Sequence, residues 1–331
     1  MDVRDIDGRD TAVARRFWEI GRDSEAAYRV HDFFVPWASA EVTLSKGRAD
    51  TDLLLLGAFD GEQMTGAASV AMPLLDNLHL AYVSIHVHPE HQRRGVGRAL
   101  ASACEAAVQQ RGRRVTVGEA YGQPGAPGVG QVFAESLGYT VAIEDGIKVV
   151  DLDATEPTWA AMEQEVAPRS SGYTLVSWYD AVPDEHLGGY CLISEAFNDE
   201  APSGDLELEA EVWDEDRVRK READNLAAGR HDVSTAALAP DGTMVGLTEI
   251  GVNENASHRG FQSGTLVAPA HRGRALGLSM KVANQRQLRA RFPGCKVLMT
   301  GNAGVNVAMN AVNDRLGYRL VETCVELQKA L

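Results

Sequence analysis

Val87-His88-Pro89-Glu90-His91-Gln92-Arg93-Arg94-Gly95-Val96-Gly97-Arg98-Ala99-Leu100 is the stretch on which the reading of the fold turns. An apolar strand ends at Val87, a glycine-rich basic turn follows, and a helix opens behind it. Such a turn binds phosphates. The first backbone N–H groups of a helix have no partner within it, glycine lets the main chain come close to a ligand, and the helix dipole favours an anion there. Arg93, Arg94 and Arg98 add positive charge.

Thr265-Leu266-Val267-Ala268-Pro269-Ala270-His271-Arg272-Gly273-Arg274-Ala275-Leu276-Gly277 repeats the design. Two other landmarks recur: Met64-Thr65-Gly66 as Met244-Val245-Gly246, and Leu137-Gly138-Tyr139 as Leu316-Gly317-Tyr318. The pairs Gly66/Gly246, Gly95/Gly273 and Gly138/Gly317 are separated by 180, 178 and 179 residues. A repeat this long implies two domains of one fold, not a solenoid of short units. The expected layout is a first domain over residues 1–152, a linker over 153–172 with Pro157, Pro168 and Ser170-Ser171-Gly172, and a second domain over 173–331.

A chain of 331 residues with 44% apolar content supports two ordinary cores. No apolar run approaches the ~18 residues needed to span a membrane, and the charged start MDVRDIDGRD is not a signal peptide, so a cytoplasmic protein is expected. The net charge of −15 argues against nucleic acid and favours cationic partners. Acid concentrates between Asp199 and Asp224, either as a solvated surface or as a rim that attracts an amine. Cys104, Cys191, Cys295 and Cys324 form no CxxC pair, which suits reduced core thiols. His86, His88 and His91 could gather a metal, but they lack a nearby carboxylate or cysteine partner in this reading, and no metal is expected.

The hydrophobic pattern predicts a helix within residues 10–35 with Val13, Phe17 and Ile20 on one stripe. A hairpin follows, Leu53–Phe59 and Met64–Met72 around Asp60-Gly61, then a strand from Leu78 to Val87, a helix from Val96 to Gln110 and a strand from Arg114 to Gly118. A Gly/Pro loop, a short helix ending at Gly138 and a strand pair around Asp145-Gly146 close the half. The second half repeats this order, with a hairpin at Asp241-Gly242 and a helix from Ala275 to Arg291. The fold class is α+β, each domain a mixed, mostly antiparallel sheet flanked by helices.

Gln92-Arg93-Arg94-Gly95-Val96-Gly97 resembles the Q/R-x-x-G-x-G/A signature of the GNAT superfamily of acetyl-CoA-dependent acyltransferases, and the two L-G-Y segments resemble that family's closing motif. With both halves, the resemblance covers most of the chain. It implies that coenzyme A lays its diphosphate on the turn and its pantetheine arm along the preceding strand. The residues so implied are Val87, Gln92, Arg93, Arg94, Gly95, Val96 and Gly97 in the first half. In the second they are Val267, His271, Arg272, Gly273, Arg274 and Ala275, with Ala270 standing where Gln or Arg is usual.

The family's proton donor, a Tyr four residues before the closing Gly, is replaced by Ala134 and Asn313. The second half has a richer polar mouth: Thr300, Asn302, Asn306, Asn310 and Asn313. Amides there can hold cofactor carbonyls or a water, or they can simply cap a helix and form a turn. Glu249 is the candidate base, with His258 behind it and Glu119 as the first-half counterpart; an ordinary strand carboxylate is the plain alternative for Glu249. The expected function is acetyl transfer from acetyl-CoA to a primary amine of a small cationic metabolite or antibiotic-like molecule, with chemistry in the second half through Glu249, Asn302 and Asn313. The other readings are an acyl-CoA sensor or scaffold without turnover and a peptide amine acetyltransferase, in a monomer or homodimer.

Overall fold

The computed structural model describes residues 2–31 and 33–331. They form two compact units, one of the described residues up to 145 with 203–209 and 322–331, the other of 146–202 and 210–321. These bounds differ from the linear division expected from sequence. Each unit takes strand material from the other half of the chain.

The first unit begins with β1 (Asp2–Asp5), α1 (Thr11–Ala26) and α2 (Trp37–Lys46). Asp10 caps α1, its carboxylate accepting from the N–H groups of Ala12 and Val13. Ile20 of α1 is fully buried against Phe59, Met64 and Ala67, with Val13 and Phe17 packed beside them, as the stripe requires. Strands β2 (Thr51–Asp60), β3 (Gln63–Pro73) and β4 (Leu80–Val87) form an antiparallel meander, and helix α3 (Val96–Gln110) lays Leu100, Cys104 and Val108 on it. Strand β5 (Val115–Gly122) is parallel to β4, but their register runs only from Leu80↔Val115 to Tyr82↔Val117. Beyond that point the two strands part. Gly118 sits at the fork, where a Cβ would lie 2.9 Å from the Val83 carbonyl oxygen. Helix α4 (Val129–Glu135) runs out through a turn to Gly138, which has a φ of 89°.

Strand β6 runs unbroken from Thr140 to Asp151, so Asp145-Gly146 is not the hairpin turn expected from sequence. It is the point at which the chain passes from one unit to the other. Residues 153–172 are not a bare linker either. Helices α5 (Leu152–Thr155) and α6 (Trp159–Val166) belong to the second unit, and Leu152, Trp159 and Val166 are buried in its largest core cluster.

The second unit continues with β7 (Thr174–Tyr179), α7 (Asp184–Glu200) and α8 (Glu215–Ala227). An antiparallel set follows, β8 (Arg230–Leu238), β9 (Met244–Asn253) and β10 (Arg259–Val267), covered by α9 (Leu276–Arg291). Strand β11 (Val297–Ala303) is parallel to β10 over Arg259↔Val297 to Phe261↔Met299, repeating the short parallel contact of the first unit. Helix α10 (Val307–Arg315) and strand β12 (Arg319–Ala330) end the chain. In the first unit β5 is followed in the sheet by β12; in the second, β11 is followed by β6. The last strand of each half therefore completes the other half's sheet, which local sequence pattern cannot reveal.

Candidate active site

In both units a 3₁₀ turn, Pro89–His91 or Pro269–His271, follows the splayed strand and leads into the glycine-rich segment. The first turn holds Arg93 at φ 62° and Gly95 at φ 85°; the second holds Gly273 at φ 77° and Ala275 at φ 59°. The side-chain clasps match as well. Gln92 Nε2 donates to the Val87 carbonyl at 3.2 Å, and Arg272 Nε donates to the Val267 carbonyl at 3.0 Å. Gly95 therefore corresponds to Ala275, not to Gly273, and Gln92 corresponds to Arg272. Arg272-Gly273-Arg274-Ala275-Leu276-Gly277 is the second copy, and the departure assigned to Ala270 disappears. A glycine standing two places earlier, at 273 where the first turn has Arg93, made the two turns look out of step.

The units diverge in what lies beside the turn. In the first, a cavity of about 1080 Å³ opens where β4 and β5 part, large enough for a cofactor-sized ligand. Of the residues expected at the coenzyme, Val87, Gln92, Arg93, Gly95, Val96 and Gly97 line it, and Arg94 is exposed beside them. Its far wall carries Arg29, Glu119, Tyr121 and Glu326. Glu326 of β12 stands directly opposite Glu119 of β5 in the strand register. Burial, then the neighbouring Glu119 and Asp145, raise the Glu326 carboxyl from the ordinary range to about 7. Tyr121 donates to Glu119 Oε2 at 2.8 Å, and burial, with Cys324 and Glu119 nearby, holds its phenol proton well above the usual tyrosine range.

Arg29 lies 3.5 Å over the Tyr121 ring and is tied to Glu322 at 2.8 Å, whose other oxygen accepts from the Val30 N–H at 2.6 Å. Sequence reading named Glu119 but missed Tyr121, Arg29, Glu322 and Glu326. The available signal was two carboxylates, at 322 and 326, at the even spacing that puts them on one face of the terminal strand.

The second unit holds its expected side chains in internal contacts. Glu249 accepts from Tyr190 at 2.9 Å and from Ser234 at 3.1 Å, with Arg221 3.8 Å away. Burial raises its carboxyl, and Arg221 works against that. It borders a small cavity of about 140 Å³ shared with Trp213, Phe197 and Arg221. Asn302 and Asn313 come together, Asn313 Nδ2 donating to Asn302 Oδ1 at 2.5 Å, but the Oδ1 of Asn313 is taken by buried Lys281 at 2.7 Å. Asn306 caps α10 by accepting from the Met309 N–H, Asn310 donates to the Ala303 carbonyl, and Thr300 donates to the Gln262 carbonyl.

Part of the acidic stretch is spent within the protein, while Asp205, Glu207, Glu209, Glu215 and Asp216 are exposed. Glu211 accepts from Trp213 Nε1 and Arg217, and Asp214 caps α8. Of the three histidines considered for a metal, His86 turns to Ser84 at 2.9 Å and is pushed down to about 4 by burial, while His88 and His91 gather with Glu90.

Residues 16–126 match the model of the acetyltransferase (GNAT) family. A tandem GNAT protein from the clavulanic acid biosynthesis pathway, solved without acetyl-CoA, superposes with a TM-score of 0.82 at 23% identity, covering 99% of this chain and 98% of that one. The chain is a tandem of two GNAT folds. A GCN5-related N-acetyltransferase from Sphaerobacter thermophilus has the same fold at TM-score 0.66 and 18% identity, over 99% of this chain and 95% of that one. An acetyltransferase described as putative, from Pyrococcus horikoshii, follows at TM-score 0.57 and 12% identity, over 100% and 89%. No curated protein matches the sequence. No helix among the described residues is long and apolar enough to cross a membrane.

Proposed function

We propose that the protein is an acetyl-CoA-dependent N-acetyltransferase whose first unit both holds the coenzyme and transfers the acetyl group to a small cationic amine. Sequence analysis places the chemistry in the second half. The observation that moves it is the cavity of about 1080 Å³ running from the glycine-rich turn to Glu119, Tyr121 and Glu326. The backbone N–H groups of the turn suit a diphosphate, and β4 beyond Tyr82, with no register partner in β5, suits a pantetheine arm lying as an added strand. The carboxylates on the far wall suit an ammonium group arriving from solvent.

An alkylamine is protonated below about pH 10.4 and must give one proton to solvent before it can attack. The free amine nitrogen then bonds to the thioester carbonyl carbon, and the remaining excess proton on nitrogen passes to the Glu326 carboxylate. The C–S bond breaks, and the departing thiolate takes that proton back from the Glu326 carboxyl. A carboxyl poised at about 7 accepts readily from the ammonium-like intermediate and returns a proton to a thiolate, whose conjugate acid is weaker. Tyr121 holds its own proton too tightly to serve as the acid, so its hydrogen bond fixes Glu119 instead.

The test is calorimetric titration with acetyl-CoA of the intact protein and of Gly97→Glu and Gly277→Glu. Both glycines open their helices at corresponding places and neither has a positive φ, so neither change forces a strained backbone. Gly97→Glu is expected to weaken binding at least 30-fold, and Gly277→Glu to leave it unchanged. The reverse pattern would place the coenzyme in the second unit. A binding-only role is the second reading, favoured by Ala134 and Asn313 standing where a phenol acid is usual. Release of free thiol with a panel of amines decides between them: no release above background with any amine selects the sensor.

A further inference from the structure

We propose that the turn joining β4 to α3 is a binding site for one divalent transition-metal ion, held by His88, Glu90 and His91. A ring nitrogen of each histidine and a carboxylate oxygen of Glu90 all lie within 4.8 Å of one another. The chain brings them together because β4 ends at Val87 and the Pro89–His91 turn folds positions 88 and 91 onto each other, with the His91 N–H donating to the His88 carbonyl at 2.8 Å. The two rings stand 5.7 Å apart, and the Glu90 side chain is exposed and free to swing in. Ligand bonds of about 2.0–2.2 Å then need side-chain rotation only.

The second observation concerns His88 itself. Its Nε2 faces the Asp23 carboxylate at 3.7 Å, while Nδ1 is buried and has no hydrogen-bond partner among the described residues. A buried ring nitrogen left unpaired is costly. A metal ion on Nδ1 would satisfy that atom and leave Nε2 on the side of the Asp23 carboxylate, the kind of neighbour that metal-ligating histidines commonly keep. Two imidazoles and one carboxylate select zinc, cobalt or nickel over magnesium or calcium, which prefer oxygen donors throughout.

The internal repeat supplies a control on this reading. The second unit builds the same 3₁₀ turn at Pro269–His271, but with Ala268 and Ala270 where the first has His88 and Glu90. The remaining His271 is already paired, its Nδ1 lying 2.9 Å from the Tyr173 hydroxyl. The backbone therefore does not need these side chains to make the turn. One ion per chain is expected, just ahead of the glycine-rich turn, where it would pin the entry to that turn.

The test uses the full-length protein stripped with chelator and titrated with Zn²⁺ by calorimetry and with Co²⁺ by visible absorption. One equivalent should bind at micromolar concentration or tighter, with a cobalt spectrum showing imidazole ligation. Glu90→Gln should weaken binding about 10-fold, and His91→Ala at least 30-fold, with melting curves of the metal-free variants unchanged. Equal binding by the intact protein and His91→Ala, or no binding below millimolar, overturns the proposal. The exposed Glu90→Gln variant keeps the test decisive even if a histidine replacement disturbs the fold.

Discussion

The two units build one backbone device twice and finish it with opposite side chains. Ala101 of α3 and Lys281 of α9 occupy matching places, as do Ala120 and Asn302 by the register of the parallel strands, and Ala134 and Asn313 four residues before the closing glycine. In the second unit Lys281, Asn313 and Asn302 join in one hydrogen-bonded chain. In the first, three alanines have nothing to reach with, and Ala120 lines an open cleft. Splayed strands and a phosphate-type turn are thus not enough to make a site. Whether the fork is a cleft or an internal polar cluster depends on three side chains that project into it.

The sharpest division is chemical. Glu326→Gln removes the carboxyl poised at about 7 and should lower kcat/KM about 100-fold, within the range usual for a lost general base. The pH profile of the intact protein should carry a break at about 7, where Glu326 becomes able to accept a proton, on top of the rise that deprotonation of the amine gives up to about pH 10; the variant should lose the break and keep the rise. Glu249→Gln, in the second unit, should leave rate and profile unchanged. A loss confined to Glu249→Gln would return the chemistry to the second unit.

The repeat, the hairpins, the helix from Val96 to Gln110 and the phosphate-type turn were legible because they depend on local signals: period, turn residues and glycine. The exchange of β6 and β12 was not, because strand partners are chosen by packing distant in sequence, and Asp145-Gly146 reads as a turn wherever it stands. The same exchange concealed the site. Glu326 meets Glu119 only because β12 pairs with β5, more than 200 positions apart in the chain. The second-half asparagines looked catalytic because composition shows amide groups without showing what they already hold. Asn306, Asn310 and Asn313 each have a partner within the protein.

Lys281 sharpens the contrast in energy. Burial, with Lys148 adding repulsion, depresses its ammonium from the ordinary 10.5 to about 7. Between about pH 7 and pH 10 the unfolded chain binds a proton that the folded protein does not, so this group makes stability rise with pH across that window; below 7 the full penalty stands. Lys281→Met removes the penalty but leaves Asn313 Oδ1 without its donor, at a cost of about 1–3 kcal/mol. The variant should therefore be more stable than the intact protein at pH 6 and less stable at pH 10, by urea unfolding. A difference that does not change with pH would mean that Lys281 keeps its charge throughout.

The smallest expected effect lies in the turn itself. Ala275 adopts φ 59° where the first unit places Gly95 at φ 85°. A left-handed conformation costs a residue with a Cβ about 1–2 kcal/mol, and glycine avoids that cost while giving back part of it through the greater freedom of its unfolded chain. Ala275→Gly should accordingly stabilise the second unit by about 0.5–1 kcal/mol. Gly95→Ala should destabilise the first by a similar amount, although an added Cβ there meets nothing within 4 Å. Because space is open at that position, any loss must come from backbone conformation and not from collision. Paired unfolding curves of the two variants would check this, and an Ala275→Gly variant no more stable than its parent would show that the second turn relaxes to accommodate alanine.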